Sequence, residues 1–278
     1  MISCVNGGGR NGPGPGVLMR RSGPDMVRSV FRYPALLLIV VTMLSAPVSA
    51  EGLPRGDCER PGAGQDLRHC DFSRARHDGI DLTGALMDGA KMENASFVKA
   101  KMQGASLRGA NLKWANLGEA DLTGADLRDA DLFHTTFDDG VLDSALLQGA
   151  NLFGANMNGV RATGADFSRA YMKDLLAEEG DFSRALFDGG FMLRAVLIGS
   201  RFGGASLREV VLTGAALEEA DFAGADLTHS LLNGAQFSGA IFADADLGEA
   251  RFVNGRVGGG NFGDARNVPT HLREMLER

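Results

Sequence analysis

Residues 110–134 read Ala-Asn-Leu-Lys-Trp, Ala-Asn-Leu-Gly-Glu, Ala-Asp-Leu-Thr-Gly, Ala-Asp-Leu-Arg-Asp and Ala-Asp-Leu-Phe-His. Five consecutive units keep one phase. The phase extends in both directions, from Leu67 to Phe262, without a slip. Of the forty centre positions, thirty-six are Leu, Phe or Met; the exceptions are His77, Ala162, Ala177 and Val257. Two residues before the centre, Ala fills twenty-six of the forty places. The residue just before the centre is Asp or Asn sixteen times, and the residue two after it is Gly eighteen times. A period of five is neither the 3.6 of a helix nor the 2 of a strand. A fixed short period without slippage means stacked repeats. One large and one small apolar residue per unit fit a narrow core, and the frequent Gly fits a turn in every unit.

These residues identify the chain as resembling the pentapeptide-repeat family, over residues 65–264. The resemblance implies an all-β fold, a right-handed quadrilateral β-helix with four units per coil. Forty units then give about ten coils, a rod of about 48 Å at about 4.8 Å per coil. Ala162 and Ala177 are small centres, but Val160 and Leu175 fill the preceding inward positions, so core volume is kept. Both ends need caps, because an open coil exposes unpaired backbone and core. Pro269–Leu276 reads as a short capping helix within residues 265–278, with Leu272, Met275 and Leu276 on one face. Residues 51–64 form the opposite cap.

The start of the chain has a different composition. Arg28 and Arg32, an apolar run over 35–46 and the small residues Val48-Ser49-Ala50 make residues 26–50 a secretory signal peptide. The run is shorter than the roughly 20 residues a membrane span needs. Residues 1–25, rich in Gly and Pro, read as a dispensable leader or a misassigned start. The protein is therefore expected to be exported, periplasmic or secreted, with no membrane span after signal removal. Without residues 1–50 the chain keeps 23 basic and 34 acidic residues, a net charge of −11. That acidity argues against nucleic acid as a partner.

Sites for chemistry are few. Cys58 and Cys70 form an even pair in an exported chain and are expected to be a disulfide tying the N-terminal cap to the first coil. Cys58, His69, Cys70 and His77 lack the spacing of a metal motif, so no metal and no cofactor is expected. Forty unbroken units leave no insertion to build a pocket, so the chain reads as a non-enzyme.

Residues twenty apart stack on one face, which sorts the surface. Twelve of the sixteen Phe are core centres. Beyond residue 50 the aromatics off that phase, Trp114, Phe133, Phe153, Tyr171 and Phe191, all fall on the face centred on Leu112, Leu132, Leu152, Met172 and Met192. Leu193, Val211 and Leu231 extend the stripe. Contiguous apolar surface rich in aromatics marks an interaction site. The expected function is a protein-interaction or scaffold module, with an unknown protein or a second copy as partner. An alternative is a carbohydrate or cell-envelope binding module. A second, DNA-mimicry of the kind by which some family members bind topoisomerases, is disfavoured by the export signal. A column on the Leu82 face, Asp81, Lys101, Asp121, Arg161, Asp181, Arg201 and Asp221, is expected to form a salt-bridge ladder. A third face carries Asp138-Asp139, Glu178-Glu179 and Glu218-Glu219.

Overall fold

The computed structural model describes residues 52–277. The chain divides into residues 1–44 and 45–278, and the described residues belong to the second unit. The expected leader and signal peptide lie outside the described residues. No helix among the described residues is long and apolar enough to cross a membrane.

Each five-residue unit is a short bridge followed by a β-turn. In the unit around Leu112, the Ala115 N–H donates to the Leu112 carbonyl at 2.9 Å and closes the turn. The third turn residue has a positive φ, as a type II turn requires. Gly fills that corner in many units, but Trp114, Glu119, Asp129 and His134 adopt it too, with φ of 52–60°. The Asp or Asn preference before the centre has a local cause. Asp121 Oδ1 accepts the Thr123 N–H at 3.0 Å, and Asn116 Oδ1 accepts the Gly118 N–H at 2.9 Å. The short polar side chain caps a turn N–H two residues on.

Stacking follows from the backbone. Parallel bridges join each such residue to the one twenty further along, from Asp66–Leu86 to Asp246–Arg266 without a break. Four units per coil is thus the observed register. Inside, Leu, Met and Phe centres alternate with Ala and are almost wholly buried. Val160 with Ala162 and Leu175 with Ala177 are buried as inverted large–small pairs. Phe182, Phe202, Phe222, Phe242 and Phe262 form one stacked core column, with centroids 4.4–5.4 Å apart.

The two ends are closed differently. At the N-terminal end Arg55 pairs with Asp66, so the cap supplies a strand to the first coil. Gly56 crosses so close to Leu67 that a Cβ would lie 2.4 Å from its side chain, so a larger residue there would have to displace Leu67 and Gln65. Cys58 and Cys70 are joined in a disulfide. At the C-terminal end lies α1, Thr270–Leu276. Leu272 is buried over the last coil, but Leu276 is exposed, so the covering face is narrower than the three-residue spacing predicts. Beside it, the Phe252 N–H donates to His271 Nε2 at 3.0 Å. In the preceding coils the same N–H donates to a carbonyl nineteen residues on, as Leu232 does to Arg251. The imidazole of residue 271 takes the place of the carbonyl of that residue, as the ladder ends.

Candidate functional site

The expected stripe lies on the face centred on Leu112 and its stacked equivalents. Its members occupy three register positions. Trp114 stands at a turn corner, Phe133, Phe153 and Leu193 just after their centres, and Tyr171, Phe191, Val211 and Leu231 just before theirs. The stripe therefore runs obliquely across the face. Trp114 is 52% exposed and Tyr171 41%, while Phe133, Phe153, Phe191, Leu193, Val211 and Leu231 are half-buried.

The rings form one continuous stack. Phe133 and Phe153 lie parallel with centroids 5.3 Å apart, Phe153 and Tyr171 6.1 Å, and Tyr171 and Phe191 5.4 Å. The Phe133–Phe153 and Tyr171–Phe191 pairs are joined at the Phe153–Tyr171 step. Two participants escape a reading limited to Phe, Tyr and Trp. His134 stacks on Trp114 at 4.3 Å, with the two rings nearly parallel, and meets Phe133 edge-on. It sits in the gap left by Gly154, where a Cβ would come within 2.5 Å of the imidazole. The signal was present, since His134 is twenty residues after Trp114. Lys173 places its ammonium 5.6 Å from the Phe153 centroid, a cation–π contact on the same face. Parallel stacking has a consequence: the ring faces of Phe133, Phe153 and Tyr171 cover one another, and what remains for a partner is their edges.

The other expectations divide. On the Leu82 face the structure does not form the expected ladder. Only Arg201–Asp181 pairs within the column, at 3.1 Å. Arg161 turns instead to Asp143, 2.8 Å away, and Asp121 accepts from Gln103 and Thr123. Asp81 and Asp121 accept from Thr83 and Thr123 instead, and Val141 interrupts the column, whereas Asp181 caps the Ser183 N–H and still pairs with Arg201. On the third face, Asp138, Asp139, Glu178, Glu179, Glu218 and Glu219 make no ion pair among the described residues. Burial pushes the Asp138 carboxyl up, and the neighbouring Asp139 adds to the effect.

The fourth face, centred on Leu67 through Leu247, carries paired charges. Arg68 with Asp66, Arg128 with Asp126 and Arg208 with Asp188 form close ion pairs. Shallow open grooves lie between them, one lined by Arg169, Asp188, Arg208, Glu209 and His229. Near the N-terminal cap, Cys58, His69 and Cys70 bring their donor atoms within 4.8 Å of one another. Both sulfurs are committed to the disulfide, and Arg55 Nε donates to His69 Nε2 at 3.4 Å. His77 is not in that group; it is half-buried and stacks on the buried Phe97.

The comparisons with known proteins agree with the geometry. A family model for pentapeptide repeats matches in eight copies, over residues 66–104, 105–142, 145–174, 181–214 and 220–256. The chain belongs to the pentapeptide-repeat family. Among solved structures, it is similar to HetL, a pentapeptide repeat protein involved in heterocyst differentiation regulation from the cyanobacterium Nostoc. Identity is 24%, coverage 74% of this chain and 97% of HetL, and the TM-score 0.50. Two more distant likenesses are QnrB1, a plasmid-mediated fluoroquinolone resistance protein, and a pentapeptide repeat protein from the Arabidopsis thaliana thylakoid lumen. The first is 18% identical with a TM-score of 0.40, over 61% of this chain and 88% of QnrB1. The second is 25% identical with a TM-score of 0.32, over 45% of this chain and 76% of its own. No curated protein matches the sequence. The solenoid is thus the family's right-handed β-helix.

Proposed function

We propose that this pentapeptide-repeat protein is an exported, non-enzymatic interaction module that docks a protein partner on the oblique aromatic stripe. One observation carries the reading. Trp114, the sole Trp of the chain, sits at a corner with φ of 60° and stays 52% exposed. A left-handed corner costs a bulky residue about 1–2 kcal/mol relative to Gly. Half-exposed, Trp114 regains only part of that from burial. Large aromatics in such positions are where binding energy concentrates. The stacked edges of Phe133, Phe153 and Phe191 give it a contiguous apolar neighbourhood.

The carbohydrate alternative fits less well. Sugar stacking needs open ring faces, and those of Phe133, Phe153 and Tyr171 are taken up by neighbouring rings. The test is a pull-down from the exported protein fraction with wild type and with Phe153→Ser/Phe191→Ser. The reading expects a partner protein that wild type retains and the variant loses. Equal retention by both, or retention only on a glycan matrix, rejects it.

A further inference from the structure

We infer that the protein segment docked on the stripe is acidic: it places an Asp or Glu carboxylate on Lys173, with apolar side chains on both sides of it. The inference rests on the interaction reading above and names the chemistry of the partner. Three features of the face support it.

The first is one unmatched cation. Lys173 lies in the same column as Phe133, Phe153 and Leu193, in the middle of the stripe. It is half-buried, and its ammonium rests 5.6 Å from the Phe153 centroid. It has no ion pair among the described residues. Between residues 110 and 234 this face carries two acids, Asp131 and Asp174, and both are already held. Arg194 Nε and Nη2 each donate to Asp174 at 2.7 Å. Lys113 and Asn151 Nδ2 each donate to Asp131 at 2.9 Å. A partner that covers Phe153 also strips water from the Lys173 ammonium. An apolar partner leaves that charge buried and unpaired, which is unfavourable. A carboxylate turns the same contact into a charge-assisted hydrogen bond.

The second is the sign of the face. Over residues 66–264 the face of the stripe carries six Lys or Arg and four Asp or Glu. The other three faces carry four against seven, three against eight and five against ten. The stripe thus lies on the one net-positive side of an acidic rod. An acidic segment is steered to this face and resisted by the other three. The same sign opposes stripe-to-stripe contact between two copies.

The third is the number of free cations. Holding an anionic bilayer takes a cluster of about four to eight Lys or Arg. Here Lys113 and Arg194 are paired within the face, and Lys173 alone is free in the stripe. One free cation between apolar edges fits one carboxylate of a protein segment.

The full chain is used to select binders from a displayed library of random peptides, in parallel with Phe153→Ser/Phe191→Ser and Lys173→Gln. Peptides enriched by wild type over the double variant are expected to carry an Asp or Glu with apolar residues on both sides. Synthesised without Trp, they are titrated by the emission of Trp114, the sole Trp of the chain. Lys173→Gln is expected to weaken them about tenfold or more, with an unchanged circular dichroism spectrum, and Lys173→Arg to retain them. Stripe-dependent peptides without an acid, or equal binding by Lys173→Gln, overturn the inference and leave the interaction reading intact. Wild type that sediments with phosphatidylglycerol vesicles, or with itself, through the stripe while selecting no acidic peptide overturns it in favour of a lipid surface or a second copy. A library with no stripe-dependent peptide also overturns the inference. If the pull-down above is empty as well, the interaction reading falls with it.

Discussion

At the scale of single residues, the left-handed corner of each unit is where structure and function pull apart. Gly is the least strained choice there, yet Trp114 and His134 occupy consecutive corners with φ of 60° and 52°. Replacing Trp114 with Gly relieves about 1 kcal/mol of backbone strain and removes a ring stack of similar worth. Trp114→Gly is therefore expected to change unfolding free energy by less than about 1 kcal/mol in urea denaturation. The same variant is expected to lose partner capture. A large loss of stability instead shows that the ring serves the fold. Ser230 offers a contrast in the core. It occupies a small inward position, is fully buried, and its hydroxyl has no hydrogen-bond partner. Ser200 occupies an equivalent position, but its hydroxyl accepts the Gly180 N–H at 3.1 Å and donates to the Ala177 carbonyl. Ser230→Ala is expected to stabilise the chain by about 1 kcal/mol and Ser200→Ala to destabilise it by about as much, both read by urea denaturation.

At the scale of the elements, the repeat itself was fully legible in the sequence. A five-residue phase that never slips leaves one register, and Asp or Asn before the centre carries its own turn-capping reason. What was not legible was competition for the same side-chain atoms. The charged column on the Leu82 face looked like a ladder because one-letter charges do not show that Arg161 reaches Asp143 off the column or that Gln103 and Thr123 take up Asp121. The extent of the aromatic cluster was hidden for a similar reason, since His134 and Lys173 count as polar until the imidazole is placed on Trp114 and the ammonium on Phe153. The first coil shows a further element-scale effect. His77 takes a centre position that elsewhere is Leu, Phe or Met, and burial lowers its pKa from 6.5. A depressed histidine favours the neutral form in the folded state. Its contribution is present above about pH 6.5 and is lost as the pH falls below that. Melting temperatures measured from pH 7.5 to 5 are expected to fall for wild type and to stay flatter for His77→Leu. Parallel curves remove His77 as the cause.

For the molecule as a whole, the acidic surface sets the lower pH limit. Hydrogen bonding from Arg68 holds the Asp66 carboxyl at about 2. The Asp188 carboxyl also lies below the ordinary 3.8: burial opposes ionisation there, but hydrogen bonds from Arg208 and Ser206 outweigh it. A depressed carboxyl stabilises the fold above its unfolded value and loses that stabilisation as the pH falls through the folded one. Stability is therefore expected to drop between about pH 4 and pH 2. Asp66→Asn is expected to flatten the lowest part of that titration, read by thermal melts in an acid series. An unaltered curve shows that the Asp66–Arg68 pair contributes nothing, as many exposed pairs do.

The twenty-residue register has one more consequence. Removing a multiple of twenty residues from the middle of the chain shortens the molecule and leaves every surviving side chain on its own side. Removing five, for example residues 155–159, keeps the core equally well filled but gives everything after the cut a quarter-turn about the long axis. Tyr171 and Phe191 then point away from Phe133 at right angles. Such a deletion separates what the rod is from what it presents. Its fold is expected to persist by circular dichroism while partner capture through the stripe is lost, and the composition of the surface barely changes.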